Sequence, residues 1–106
     1  MIAPAAALIV AGGILVQEWS PEHPAFDYAC RTGQPVYAIQ DGTIRSSRSW
    51  SMGVQVFLEG ENGTAYYAHL HRAMPDGEVK KGDVIGACGN TGAWSYGSHV
   101  HYEMRD

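Results

Sequence analysis

The apolar positions of this chain alternate along the backbone and do not recur at helical spacing. In residues 53–59, Val54, Val56 and Leu58 point one way, with Gln55, Phe57 and Glu59 opposite. In residues 64–70 the same alternation puts Tyr66, Ala68 and Leu70 on one face and leaves Tyr67 and His69 on the other. Turn-forming pairs and clusters separate these runs: Asp41-Gly42, Glu61-Asn62-Gly63, Asp76-Gly77, Lys81-Gly82-Asp83 and Gly89-Asn90-Thr91-Gly92. Asn62-Gly63 between two alternating runs is the strongest hairpin signal, and it pairs 53–60 with 64–70. Further strands are expected over 14–18, 26–30, 35–40, 42–46, 83–88 and 99–105. The pattern predicts an all-β domain of short antiparallel strands.

Composition narrows this picture. A chain of 106 residues fits one small domain, here taken as 1–106, with a modest core. Thirteen glycines agree with a fold rich in tight turns. The net charge is −4, and Lys80 and Lys81 are the only lysines. With no basic stripe to meet phosphates, nucleic acid is not an expected partner. Met1–Gly13 is apolar, but the first basic residue is Arg31, and the run falls short of the roughly 20 residues a membrane helix needs. It is expected to be a first strand or the leftover of a longer parent, with no membrane span and no clear signal peptide. Cys30 and Cys88 are compatible with one long-range disulfide or with two buried thiols.

The candidate chemistry lies in the histidines. On a strand, His99 and His101 share a face with Cα atoms roughly 6.5–7 Å apart, so both rings can serve one site. His23 and Asp27 would stand about 13 Å apart on a regular strand. Pro24 disfavours a regular ladder there, and a loop leading into a strand would bring the two together. His69 sits in Tyr66-Tyr67-Ala68-His69-Leu70 and faces either solvent or a groove. Two histidines and one carboxylate make a three-ligand zinc set with an open fourth position, and two further histidines remain for proton transfer.

These stretches, in this order, resemble the M23 peptidases, the lysostaphin- or LytM-like zinc endopeptidases of bacterial cell walls, over about Ile14 to Arg105. The run from His23 to Ile44 resembles that family's first metal motif, H-x-x-x-D, and the strand pair after it. Thr64–Leu70 resembles its Y-x-H-L segment, Gly77–Gly92 its glycine-rich run, and Gly97–Glu103 its terminal H-x-H. The resemblance implies a small domain of packed antiparallel sheets with a substrate groove. It implies one Zn2+ held by His23, Asp27 and His101, with His69 and His99 as the catalytic pair. It also implies a zinc-activated water that hydrolyses peptide bonds of peptidoglycan, in stem peptides or cross-bridges. Action at the cell wall follows, whether extracellular, periplasmic or tied to a phage virion or lysis.

The chain departs from the family pattern in places. Ala25 stands where the family usually has Gly, and no tyrosine precedes His23 to steady a transition state; Trp19 is the nearest aromatic, and Tyr67 or Tyr96 is the candidate substitute. The loop Ala93–Tyr96 is about one residue longer than common forms, and its two aromatics are candidates for a groove wall; Trp50 stacks on substrate or packs. His71 is expected at the surface and Asn90 as a turn former, while Glu103 shares strand parity with His101 and either orients it or is a solvated charge. An inactive M23-like module that binds cell wall or a partner is the alternative. The presence of all five expected positions argues against it. A lipoyl-type carrier and a Cys–His hydrolase are weaker rivals, since the lysines are paired and neither cysteine has a nucleophile's surroundings.

Overall fold

The computed structural model describes residues 2–105. One helical turn, α1 (Ala6–Ile9), precedes ten strands: β1 (Ile14–Gln17), β2 (Phe26–Ala29), β3 (Pro35–Tyr37), β4 (Gly42–Ser49), β5 (Gly53–Gly60), β6 (Gly63–Leu70), β7 (Arg72–Ala73), β8 (Gly77–Val79), β9 (Val84–Ala87) and β10 (His99–Arg105). Seven form one antiparallel sheet in the order β1-β2-β10-β6-β5-β4-β8, and three form a second in the order β3-β9-β7. No helix among the described residues is long and apolar enough to cross a membrane.

The alternation in β5 is realised as expected. Val54, Val56 and Leu58 enter the core, while Phe57 packs against Tyr66 on the other face, ring centroids 4.9 Å apart. The β5–β6 hairpin forms, but its two-residue turn is Glu61-Asn62: Gly60 pairs with Gly63, which opens β6 at φ 112°. That angle is open to glycine at no steric cost. The expected strand at 35–40 is shorter, the one at 42–46 runs on to Ser49, and β7 and β8 carry too few residues to show a period.

One core cluster draws on both sheets, joining Tyr28, Tyr67, Val100 and Tyr102 to Val36 and Ile85. The Tyr67 hydroxyl accepts from the Ile39 amide at 3.0 Å and donates to the Tyr37 carbonyl at 3.1 Å, which ties the end of the small sheet to the large one. The apolar N-terminal segment does not form the expected strand. Its alanines give one turn of helix that ends at the extended Val10, and Ile9 and Val10 are fully buried. Val10 adds one bridge to Val36, and Pro4 accepts a 2.7 Å hydrogen bond from Tyr28.

Cys30 and Cys88 form a disulfide, which settles the choice between bridge and free thiols and leaves no thiol for a Cys–His mechanism. It links the end of β2 to the segment after β9, across 58 residues. A loop of that size constrains the unfolded chain strongly. The double change Cys30→Ser and Cys88→Ser is expected to cost about 2–4 kcal/mol of stability, measured by denaturant unfolding against the oxidised parent.

Candidate functional site

β10 is the spine of the site. Its outer neighbours place Asp27 and Ala68 directly across from His101 on either side, and Ala29 across from His99. Opposed residues in an antiparallel pair share a face. His99, His101, Glu103 and Asp27 therefore project from one side of the sheet, with Val100 and Tyr102 buried on the other.

His23 arrives from outside the sheet. Ser20 and His23 exchange backbone hydrogen bonds around Pro21-Glu22, and the Ser20 hydroxyl also accepts from the His23 amide at 3.1 Å. The Ala25 amide then bonds the His23 carbonyl at 2.7 Å, and β2 starts at Phe26. This bend brings His23 Nε2 to 3.3 Å from Asp27 Oδ2, as the loop argument anticipated. Ala25 is fully buried at an ordinary negative φ, so the alanine in place of glycine introduces no left-handed strain.

His69 reaches the site by a departure from the expected alternation. It is the one non-glycine residue among those described with positive φ, 62°, and sits in a bulge where Val54 pairs with Leu70 but Val56 pairs with Tyr67. The extra residue turns Leu70 into the core beside Tyr67 and swings His69 over to the face of Tyr66 and Ala68. The predicted grouping of Leu70 with Tyr66, and of His69 with Tyr67, is thus corrected. Thr91 braces the bulge: its hydroxyl donates to the Leu70 carbonyl at 2.5 Å and accepts from the Val54 amide at 3.0 Å. Gly53 and Gly92 lie so close to these groups that a Cβ on either would strike backbone.

The five predicted residues converge. His101 Nδ1 stands 3.3 Å from Asp27 Oδ1, within ion-pair range but outside hydrogen-bonding geometry, and His99 Nε2 is 4.0 Å from the same oxygen. The His69 ring centroid is 5.0 Å from that of His99 and 5.9 Å from that of His101. His69 Nδ1 lies 2.7 Å from the Thr91 carbonyl, and His99 Nδ1 lies 2.8 Å from the Gly97 carbonyl. A carbonyl only accepts, so each Nδ1 carries the proton and Nε2 is left as the basic nitrogen of each ring.

His23, Asp27 and His101 each offer a ligand atom within 4.8 Å of the others. A tetrahedral zinc with bonds of roughly 2.0–2.2 Å sets its ligand atoms about 3.4 Å apart; His23 Nε2 stands 3.3 Å from Asp27 Oδ2 and His101 Nδ1 stands 3.3 Å from Asp27 Oδ1. His23 Nδ1 and Asp27 Oδ1 are buried with no hydrogen-bond partner among the described residues. A buried carboxylate oxygen without a hydrogen-bond partner is costly, and Asp27 Oδ1 facing His101 and His99 fits a cation-binding set.

Electrostatics follow from this crowding. Burial alone would raise the Asp27 carboxyl, but His101, His99 and His23 outweigh it and hold it below the ordinary value. Burial lowers His69, the neighbouring imidazoles add to that, and the ring is held neutral against the pull of the Thr91 carbonyl. At His101 burial is overcome by Asp27 and Glu103, which raise it.

A groove of about 470 Å³ opens over these residues. Val16 and Gln17 of β1 line it, and so do Met52, Trp94 and Tyr96. Tyr96 is 93% exposed and Trp94 62% exposed, on a loop tied to the 50–51 turn by the Ala93 and Trp94 amides. Asn90 braces that loop, accepting from Ser95 Oγ at 2.5 Å and from the Gly97 amide at 3.0 Å, in keeping with a turn former. Tyr67 is corrected as a substitute for the missing tyrosine: it is fully buried on the far face, whereas Tyr96 does line the groove. His71 is at the surface as expected, and Trp50 is exposed.

Residues 21–106 match the profile of Peptidase family M23. The chain is 42% identical over 86 residues to the DD-carboxypeptidase/endopeptidase Mpg of Neisseria meningitidis serogroup B, a match covering 78% of this chain and 20% of that protein. The chain thus spans about a fifth of the length of that relative. The crystal structure of a mutant catalytic domain of the prophage-encoded M23 protein EnpA from Enterococcus faecalis superposes with a TM-score of 0.81 at 30% identity, covering 91% of this chain and 82% of that one. A zinc-containing peptidase from Vibrio cholerae superposes with a TM-score of 0.70 at 26% identity, covering 88% of this chain and 32% of that one.

The bulge has a direct test. Thr91→Val removes both hydroxyl bonds and leaves the Val54 amide and the Leu70 carbonyl unsatisfied. The expected loss is about 1–3 kcal/mol per unsatisfied group, with faster amide exchange at Val54, measured by unfolding and hydrogen exchange.

Proposed function

The chain belongs to peptidase family M23, and we propose that it is a zinc-dependent endopeptidase that hydrolyses peptide bonds in bacterial peptidoglycan. The observation that carries this is the half-buried His23, Asp27 and His101 set, with ligand atoms within 4.8 Å of one another and Asp27 Oδ1 orphaned, on the floor of an open groove. His23, Asp27 and His101 would hold the ion. Zinc there would supply Lewis-acid polarisation of the scissile carbonyl and an acidified water.

The remaining chemistry belongs to side chains of this chain. His69 and His99 keep Nδ1–H against fixed carbonyls, so each presents a basic Nε2 without needing to turn. One takes the proton of the attacking water and passes it to the leaving amine. The other, once protonated at Nε2, donates to the carbonyl oxygen and stabilises the charge developing there. Burial keeps His69 neutral near pH 7, the state a general base requires. Substrate peptide would lie between the β1 edge and the wall of Trp94 and Tyr96. The names of the relatives, among them an endopeptidase and a zinc-containing peptidase, support the same reading. A disulfide suits an oxidising compartment, in agreement with action at the cell wall. An inactive binding module would have no use for four imidazoles and one carboxylate held this close together.

Metal analysis of the purified protein should find about one zinc per chain, with little in His101→Ala. His69→Ala and His99→Ala should retain the metal and lower kcat by about 10²–10⁴-fold on peptidoglycan fragments. Loss of zinc with either change would show a misassigned ligand.

Histidine ligands bind as neutral rings, and Asp27 and Glu103 make His101 hold its proton to higher pH than an ordinary imidazole. Protons therefore compete with the metal increasingly as pH falls. Zinc affinity and kcat/KM should both begin to fall while pH is still above about 6.5 and fall further below it, measured by metal titration and rate–pH profiles. A profile still flat at about pH 5 would contradict the assignment.

A further inference from the structure

We propose that Glu103 is a positioning residue that fixes the tautomer and orientation of His101, a role that rests on His101 being a metal ligand. Glu103 Oε2 stands 2.7 Å from His101 Nε2. A carboxylate only accepts, so Nε2 carries the proton and Nδ1 presents its lone pair toward Asp27, 3.3 Å away. Without this contact only the Asp27 carboxylate faces the ring, and it would draw the proton to Nδ1. A ring flipped or in the other tautomer would aim an N–H at the metal position.

Glu103 is itself held. Arg105 Nε donates to Oε1 at 3.1 Å and a second guanidinium nitrogen donates to Oε2 at 3.4 Å. The guanidinium lies 4.0 Å from the centroid of the Tyr66 ring, and Tyr66 in turn donates its hydroxyl to Gln55. Tyr66 and Glu103 are a direct cross-strand pair, so the anchor is built across β6 and β10. The Glu103 side chain is only 16% exposed, which sets it apart from a freely solvated surface charge. Carboxylates in this relation to a ligating imidazole raise its donor strength and restrict its rotation. Three residues on one strand face thus act in series: Arg105 orients Glu103, and Glu103 orients His101.

The test compares zinc binding and ring tautomer in the parent, Glu103→Gln, Glu103→Ala and His101→Ala. Zinc affinity should fall about tenfold in Glu103→Gln, which keeps an acceptor but loses the charge, and about a hundredfold in Glu103→Ala. In the metal-free protein at about pH 9, where the ring is read in its neutral form, nitrogen NMR should find His101 as the Nε2–H tautomer in the parent and as a mixture in Glu103→Ala. The unfolding midpoint of metal-free Glu103→Gln should match the parent, which a purely structural role for Glu103 would not allow. If Glu103→Ala does not fold, Glu103→Gln carries the comparison. Parent-like affinity in the Gln variant, or an unchanged tautomer without the carboxylate, overturns the proposal. A parent that takes up no more zinc than His101→Ala overturns the metal reading instead, and the tautomer measurement then judges Glu103 alone.

Discussion

The backbone register of β10 is the constraint on which the rest of the molecule depends. It is paired on both sides, with β2 and with β6. A strand repeats every two residues, so a slip of one position would carry His99 and His101 into the core and turn Val100 and Tyr102 outward. The core forbids this, because Val100 and Tyr102 are buried among Tyr28 and Tyr67 on the opposite face. The packing side of the sheet thereby specifies the chemical side. Asp27 is brought to His101 by the same pairing, not by any attraction of its own. The disulfide reinforces this end of the strand, since Cys30 follows Ala29, the partner of His99, and Cys88 precedes Gly89, which bridges to His99.

A regular sheet could not deliver the fifth residue. With unbroken alternation His69 would follow Tyr67 into the core, where an imidazole would be buried without partners. The bulge inserts one residue, places His69 at φ 62°, and gives its ring a carbonyl to bond. A non-glycine left-handed residue costs of order 1–3 kcal/mol and persists only where its surroundings over-determine it. Thr91 and the two glycines that admit its close approach supply that over-determination. The glycine-rich segment after β9 thus shapes β6 from across the fold.

How much of this was legible in the sequence follows from the range of each interaction. Alternation reports burial of one face, so β5 and the ends of β10 were readable, and Pro24 was enough to place His23 beside Asp27. The bulge was not readable from periodicity, since one left-handed residue leaves the letters on either side unchanged. The resemblance to a known family put His69 in the site while the alternation put it on the wrong face. The strand alternative for the N-terminal segment failed because Ala6-Ala7-Leu8-Ile9 suits a short helix as well as a buried strand. Whether Cys30 met Cys88 depended on tertiary distance, which spacing alone does not report. Glu103 was marked by strand parity alone, and Arg105 and Tyr66, which hold it, gave no separate signal.

The two sides of the groove obey different physics. Its floor is built from central strands whose amides and carbonyls are committed to the ladder, and its ionisable groups constrain one another: three imidazoles surround one carboxylate. Removing any of them leaves a buried charge or an orphaned acceptor, so the floor tolerates little change. The walls carry no such obligation. Trp94 and Tyr96 are exposed on a loop held by Asn90 and by two backbone bonds to the neighbouring turn, and Val16 sits on the edge strand β1. Substitutions there alter contact area without disturbing the histidines. Under the proposed peptidase function, chemistry and selectivity would consequently be separable in this fold: strand register would dictate which bond type can be cut, and the loop aromatics and the sheet edge which peptide reaches it.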